Sequence, residues 1–269
     1  MQQAPSQTFV ARLESRVLVA VEGADWRSFL QGLITQDVET LRPGGVRFAA
    51  LLTPQGRLLF DLFVVGRDGG CWLDCGRGVR AGLLSRLAMY RLRAKVDLQA
   101  DDGGVFAAWG AAPDAPGWAR DPRLEGLGWR AYGLEVAPNA TEADYEAHRL
   151  ALGAPGSDDL KADADYPIEA DFDLLGGVDF KKGCFVGQET TSRMKRRGQV
   201  KSRMMPIVFE GPPPAAGAEV LAGDLRAGEV RSGVSGRAMA LLRLDRIAGA
   251  ELSVAGRPCR ADPPAWLAP

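Results

Sequence analysis

Beyond Gly198 the chain changes character, and that change constrains its fold more than any other feature. Five short strand-like pieces follow one another there: Met205–Phe209, Glu219–Leu221, Gly228–Ser232, Arg237–Leu244 and Glu251–Val254. Turns rich in Gly and Pro separate them, which is the signature of an all-β module closing into a small barrel. Gly211-Pro-Pro-Pro214 is read as a stiff loop inside that module rather than a linker. The expected division is residues 1–200 as an α+β region of two intertwined subdomains and residues 201–269 as the barrel.

Ahead of it, strands and helices mix without a steady βαβ alternation, which gives an α+β class. Val17–Val21 reads as a strand. Asp25 is placed to cap a helix carrying Trp26, Phe29, Leu30 and Leu33. Val46–Leu52 and Leu58–Val65 form a hairpin about Pro54-Gln55-Gly56, and Cys71–Asp74 is a third strand. A helix is expected over Val79–Arg91, with Val79, Leu83, Leu87 and Tyr90 on one face. Strands are expected at Lys95–Leu98, Val105–Trp109 and Trp129–Val136, with Ala111–Gly128 an exposed loop. A further helix runs from Thr141 to Leu152 and stops at Gly153, carrying His148 as a surface or packing residue.

A length of 269 residues allows a large core, and 46% hydrophobic with 25% charged residues is ordinary for a globular protein. The net charge of −1 argues against a generic polyanion binder. Charge is nevertheless segregated. Seven acids lie between Ser157 and Asp173 against Lys161, and eight cations lie between Lys181 and Arg203 against Glu189. These are either two solvated, mutually attracting segments or a basic stretch that receives an anionic ligand. The cations have no interleaved aromatics, so nucleic acid is not the expected partner. No apolar stretch reaches the ~20 residues of a membrane span, and no membrane partner is expected. Met1 to Arg16 lacks the apolar core of a secretory signal. Its Ser, Gln and Arg hint at an organellar address, but Glu14 and the brevity count against one, and cytoplasm is expected.

The four cysteines, Cys71, Cys75, Cys184 and Cys259, are too sparse for a disulfide framework. Cys71 and Cys75 share one strand face and are expected to pack. With His148 the single histidine, no protein-built metal site is expected. Cys184 differs from the others. It stands in Lys181-Lys182-Gly183-Cys184-Phe185-Val186-Gly187-Gln188-Glu189, between two glycines, after two lysines and before a polar helical segment containing Arg193. The thiolate is the reactive form of cysteine, and cations or a helix start favour it. Cys184 could serve as nucleophile, as redox partner through a mixed disulfide, or as transient ligand to iron or to a partner's cluster. A single cysteine cannot hold a cluster alone, so any cluster contact must be shared.

Lys182-Gly183-Cys184-x-x-Gly187-Gln188-Glu189 resembles the Lys-Gly-Cys-x-x-Gly-Gln-Glu motif of the YgfZ-type folate-binding proteins, which include mitochondrial iron–sulfur assembly relatives. Phe29–Val38, Leu52–Arg57, Tyr166–Ala170 with Gly177–Phe180, and the strand pieces Gly228–Ser232 and Ala238–Leu242 are similar to further blocks of that family. The resemblance implies the fold of the glycine cleavage T protein (aminomethyltransferase), with a central folate site closed by the C-terminal barrel. It also implies a tetrahydrofolate-binding accessory role in iron–sulfur cluster assembly or repair, with the assembly machinery or client iron–sulfur proteins as partners. Glu169 is then the candidate for the pterin's amidine-like edge, which suits two parallel hydrogen bonds to a carboxylate. Arg193 and Arg197 are candidates for the folate tail. Gln188 and Glu189 would order the loop, Lys182 would support the thiolate, and Asp61 would contact ligand. The alternative is a folate-dependent aminomethyl or methyl transferase. Phe60-Asp61 stands where T proteins carry paired acids, and that departure favours the accessory role.

Overall fold

The computed structural model describes residues 7–198 and 200–267. The chain opens with β1 (Thr8–Arg12), β2 (Arg16–Glu22) and the short helix α1 (Trp26–Gln31). β3 (Val46–Leu52), β4 (Leu58–Arg67) and β5 (Gly70–Gly76) form a meander, followed by α2 (Arg80–Arg91). Then come β6 (Asp97–Asp101), β7 (Val105–Gly110), β8 (Ala119–Arg120), β9 (Trp129–Tyr132) and α3 (Glu142–Ala151). After a long irregular segment come α4 (Gln188–Arg197), β10 (Ser202–Phe209), β11 (Glu219–Ala222), β12 (Leu225–Val234) and β13 (Arg237–Arg243). A single helical turn, α5 (Leu244–Ile247), precedes β14 (Leu252–Val254) and β15 (Arg257–Ala261).

One sheet has the order β3-β4-β5-β2-β6, a second has β1-β7-β9-β8, and the last six strands close into a barrel, β10-β13-β12-β11-β14-β15. The first sheet is apolar on both faces because alternate residues along a strand face opposite ways. In β4, Leu62 and Val64 join Leu83 and Leu87 of α2 in one core, while Phe63 and Val65 join Trp109 and Phe172 in another. The barrel has its own interior of Met205, Ile207, Val230, Ala240 and Leu242, and its outward Met204 and Met239 sit in the second of those cores. Two sheets and a barrel therefore meet around one apolar centre.

Several local expectations meet a different outcome. Asp25 takes the N-cap position of α1 but makes no side-chain cap bond; its carboxylate instead accepts the backbone N–H of Lys95 at 2.8 Å, tying the helix start to the segment between α2 and β6. Val79 is exposed, because the chain turns through a 3-10 segment (Arg77–Val79) before α2 begins. Ala111–Gly128 is not simply an exposed loop, since it carries β8 and buries Asp121 and Arg123. The acidic run is largely not solvated: Asp159 pairs with Arg149, Asp165 with Arg231, and Asp171 and Asp173 with Arg203. α3 does start at a Thr141 cap, with a reciprocal Asp144 bond, and Gly153 follows it at φ +71°. His148 stacks on Trp109 at 5.6 Å. Cys71 and Cys75 are both buried in β5, and burial pushes the Cys75 thiol up to about 12.

Candidate functional site: an anchored cysteine loop and a central cavity

The loop bearing Cys184 is held in place by its neighbours in sequence. Asp179 accepts the N–H groups of Lys181 and Lys182 at 2.7 and 3.1 Å, closing a tight turn. Lys182 then runs inward, and its Nζ donates to three main-chain carbonyls at and just beyond the end of α1: Gln31 at 2.8 Å, Ile34 at 2.7 Å and Gln36 at 2.9 Å. These are carbonyls that a helix end and the turn after it leave without helical partners. Burial pushes the Lys182 ammonium down to about 8, against the pull of Asp37, Asp179 and Glu39. Thr35 stitches the same region, donating to the Gly177 carbonyl at 2.6 Å while accepting the Ala50 N–H at 2.8 Å. Lys182 is thus committed to the Phe29–Val38 block.

The far side of the loop rests on the β3–β4 hairpin. Gly187 has φ +81°, and a Cβ there would lie 2.6 Å from the Thr53 carbonyl oxygen. Gly56, at φ +82°, would meet Thr190 at 2.8 Å. Both glycines are required by this close approach as well as by their backbone. Phe185 is buried, whereas Cys184 is exposed and Gly183 has open space around it. The three sequence blocks around the cysteine are therefore one packed unit that presents a single thiol to solvent.

The residues expected to support that thiol divide. Gln188 begins α4 directly after Gly187, but its side chain makes no hydrogen bond among the described residues. Glu189 is 89% exposed and pairs with Arg193 at 3.7 Å, one turn along. Arg193 is about half exposed on the same helix. The loop is ordered by Asp179, Lys182 and the glycines, not by Gln188 and Glu189, because α4 starts from a left-handed glycine with no side-chain cap. Lys195 pairs with Asp173, whereas Arg196, Arg197 and Lys201 are exposed and make no ion pair among the described residues.

A separate cavity of about 220 Å³ lies where the two sheets meet the segment before α4. Phe48, Phe63, Phe172 and Leu175 supply its apolar walls. Its polar wall is a buried ion network. Asp74 accepts Arg16 Nε at 2.6 Å and Arg130 Nη2 at 2.7 Å, and Asp121 accepts Arg123 Nη2 at 2.8 Å. Arg130 lies over the Phe63 ring at 3.9 Å, a desolvated cation–π contact. Asp61 accepts Arg16 Nη1 at 2.8 Å and the Ser157 hydroxyl at 2.8 Å, all on its Oδ2. Burial opposes ionisation of Asp61, but the Arg16 charge and these bonds hold its carboxyl below the usual range. Asp121 is held low likewise, burial being outweighed by Arg123.

Asp61, Ser157 and Asp158 also line a second chamber of about 300 Å³, walled by Leu58, Phe60 and Val79. Asp158 is raised by burial and then by Glu146 and Asp159. Of the sequence candidates, Asp61 lies in the cavity, while Cys184, Gln188, Arg193 and Lys182 do not line it. Glu169 is half-buried and does not line it either, although its neighbour Ala170 does. Burial raises the Glu169 carboxyl, and its charged neighbours are Asp165, Arg57 and Arg231. The four cavity arginines, Arg16, Arg123, Arg130 and Arg149, are not among the sequence candidates. Buried arginine is rare unless paired, but no local pattern marks it in advance.

The comparisons fit this geometry. Residues 201–269 match the family described as CAF17, C-terminal beta-barrel domain. The human protein named iron-sulfur cluster assembly factor IBA57, mitochondrial, is 32% identical over 88% of this chain and 78% of its own length. The Mycosarcoma maydis homologue of that name is 34% identical over 77% of this chain and 59% of its own. Among solved structures, the glycine cleavage system aminomethyltransferase T from Bartonella henselae superposes with a TM-score of 0.76. That likeness covers 98% of this chain and 87% of the other at 16% identity, and establishes the aminomethyltransferase-type fold. The expectation of a cytoplasmic location is overturned: the human, mouse and fungal relatives are all named mitochondrial. A targeting address is read by a receptor from a short segment, so the composition of Met1 to Arg16, whose first six residues lie outside those described, was a poor guide. By the extent and level of its identity to these relatives, the chain belongs to the IBA57 family of iron–sulfur cluster assembly factors.

Proposed function

We propose that this chain is an iron–sulfur cluster assembly factor in which Cys184 exchanges with, or transiently ligates, a cluster held jointly with a partner protein. The observation that carries the reading is the contrast within one loop: Lys182, Phe185 and Gly187 are buried or packed against neighbouring segments, while Cys184 between them is exposed to solvent. A structural cysteine is ordinarily buried, as Cys71 and Cys75 are. A shared cluster also needs thiolates from the other protein, since four ligands are usual. The exposed cations Lys181, Arg196, Arg197 and Lys201, which make no ion pair among the described residues, suit a partner with an acidic face, because complementary charge steers encounter.

The second half of the reading is a reduced folate in the central cavity. Its aromatic walls offer faces for a flat bicycle, and Asp61 Oδ1 takes no hydrogen bond among the described residues, leaving an acceptor for the pterin's N–H edge. At about 220 Å³ the cavity is below the ~300 Å³ at which whole-ligand pockets begin, so it seats the pterin head and leaves the glutamate tail outside. When bound, a reduced folate supplies one-carbon chemistry; the residues here bind and orient it. Arg16 keeps Asp61 ionised, and the arginine–aspartate network fixes the wall against which the ring rests.

Cys184→Ala is expected to keep the fold and folate binding and to lose the ability to sustain cluster-containing enzymes in cells depleted of the native protein. Full complementation by that variant would rule out the thiol's role. Aminomethyl transfer, the runner-up, is tested with reduced folate and an aminomethyl-loaded carrier protein, and no turnover is expected.

A further inference from the structure

We propose that the C-terminal end of α2 is a docking site for an anionic lipid surface, on which the protein lies peripherally. From Arg77 to Val96 the chain carries six cations and no acid, although over its whole length acids slightly outnumber cations. Two of the six are engaged: Arg77 donates to the Glu14 carbonyl and Arg80 pairs with Asp102. Arg86, Arg91, Arg93 and Lys95 make no ion pair or side-chain hydrogen bond among the described residues.

Between these cations stand the two most exposed large apolar side chains of the described residues, Met89 at 68% and Leu92 at 89%. Leu92 also has φ +41°, a conformation that costs a leucine backbone energy. No packing within this chain offsets that cost, because the side chain is in water. A strained, exposed leucine flanked in sequence by exposed cations, which make no ion pair among the described residues, is thus unexplained by the fold itself.

The chemistry specifies the partner. A polyanion alone would not use Met89 and Leu92. A protein partner would ordinarily offer or receive a concave surface, and none of the five best-formed cavities among the described residues is lined by residues 85–95. Protruding flexible apolar tips within a cationic collar match the headgroup–acyl boundary of an anionic bilayer. No helix is long and apolar enough to cross a membrane, but surface docking needs none. The twelve residues of α2 span about 18 Å, so docking at Leu92 leaves the second chamber, at the Val79 end, clear of the surface.

The test is co-sedimentation of the full chain with vesicles of phosphatidylglycerol in phosphatidylcholine, against pure phosphatidylcholine. Binding only to the anionic vesicles is expected. Arg91→Glu with Arg93→Glu should weaken it at least about tenfold. Leu92→Gly relieves the backbone while removing the apolar tip; it is expected to fold at least as stably and to bind several-fold more weakly. Absence of binding, equal binding to neutral vesicles, or binding indifferent to both variants would overturn the proposal. Retention on an immobilised acidic peptide without vesicle binding would overturn it in favour of a protein partner.

Discussion

Lys182 shows how one residue can be essential to a site without touching its chemistry. Its ammonium spans from the cysteine loop to three carbonyls around the end of α1, and among the described residues no other side chain joins these two segments by as many bonds. Lys182→Met is expected to cost about 3 kcal/mol in urea unfolding, since charged hydrogen bonds are lost and carbonyls are left bare. Asp171 illustrates the opposite economy. It is buried at φ +64°, its Oδ2 has no hydrogen-bond partner among the described residues, and burial raises its carboxyl well above the usual range despite Arg203. A group whose folded-state pKa is raised takes up a proton on folding, so its contribution falls as pH rises through the carboxylate range toward neutrality. Asp171→Asn keeps the Arg203 contact, tolerates the positive φ, and is expected to stabilise the protein by about 1 kcal/mol at pH 7. Equal or lower stability in thermal melts would refute it. The sequence placed Asp171 only within an acidic run; its environment comes from Arg203, thirty-two residues away, which no local pattern marks.

At the scale of elements, the cysteine loop and the β3–β4 hairpin form one joint. Gly187 and Gly56 face each other: a Cβ on Gly187 would lie 2.6 Å from the Thr53 carbonyl oxygen and 2.9 Å from Gly56 Cα, and one on Gly56 would lie 2.8 Å from the Thr190 side chain. Gly187→Ala is expected to cost about 1–3 kcal/mol through positive φ and the contact with Thr53, and to raise the alkylation rate of Cys184 as the loop loosens. Unchanged stability would mean that the hairpin does not support the loop. The sequence made both motifs visible because each concentrates residues with unusual backbone requirements. It also gave α3, whose Thr141 cap and terminal glycine are local signals. What it hid were pairings between distant segments. Asp25 looks like a helix cap, and only the fold brings the Lys95 N–H to it. Asp121 and Arg123 sit in a Pro- and Gly-rich stretch that reads as solvent loop, yet Arg123 lines the cavity and Asp121 pairs with it from behind.

At the scale of the molecule, two sheets and a barrel enclose a charged network that is stable only while its carboxylates are ionised. Asp61, Asp121 and Asp173 are held below the ordinary aspartate value by Arg16, Arg123 and Arg203 against the cost of burial. With folded-state values depressed, their contribution is present above about pH 4 and is lost as pH falls below it. Asp121→Asn is expected to lower stability at pH 7 and to flatten the acid limb of the unfolding curve; an unaltered limb would place the acid sensitivity elsewhere. The barrel and the α+β class were legible from strand spacing, whereas the cavity arises from side chains contributed by both sheets and by the segment before α4. The most direct test of the folate reading is calorimetric titration of the full chain with tetrahydrofolate, alongside Asp61→Asn and Cys184→Ala. Saturable binding that Asp61→Asn weakens and Cys184→Ala leaves intact is expected. No saturable binding, or binding indifferent to Asp61, would contradict a pterin seated in the central cavity.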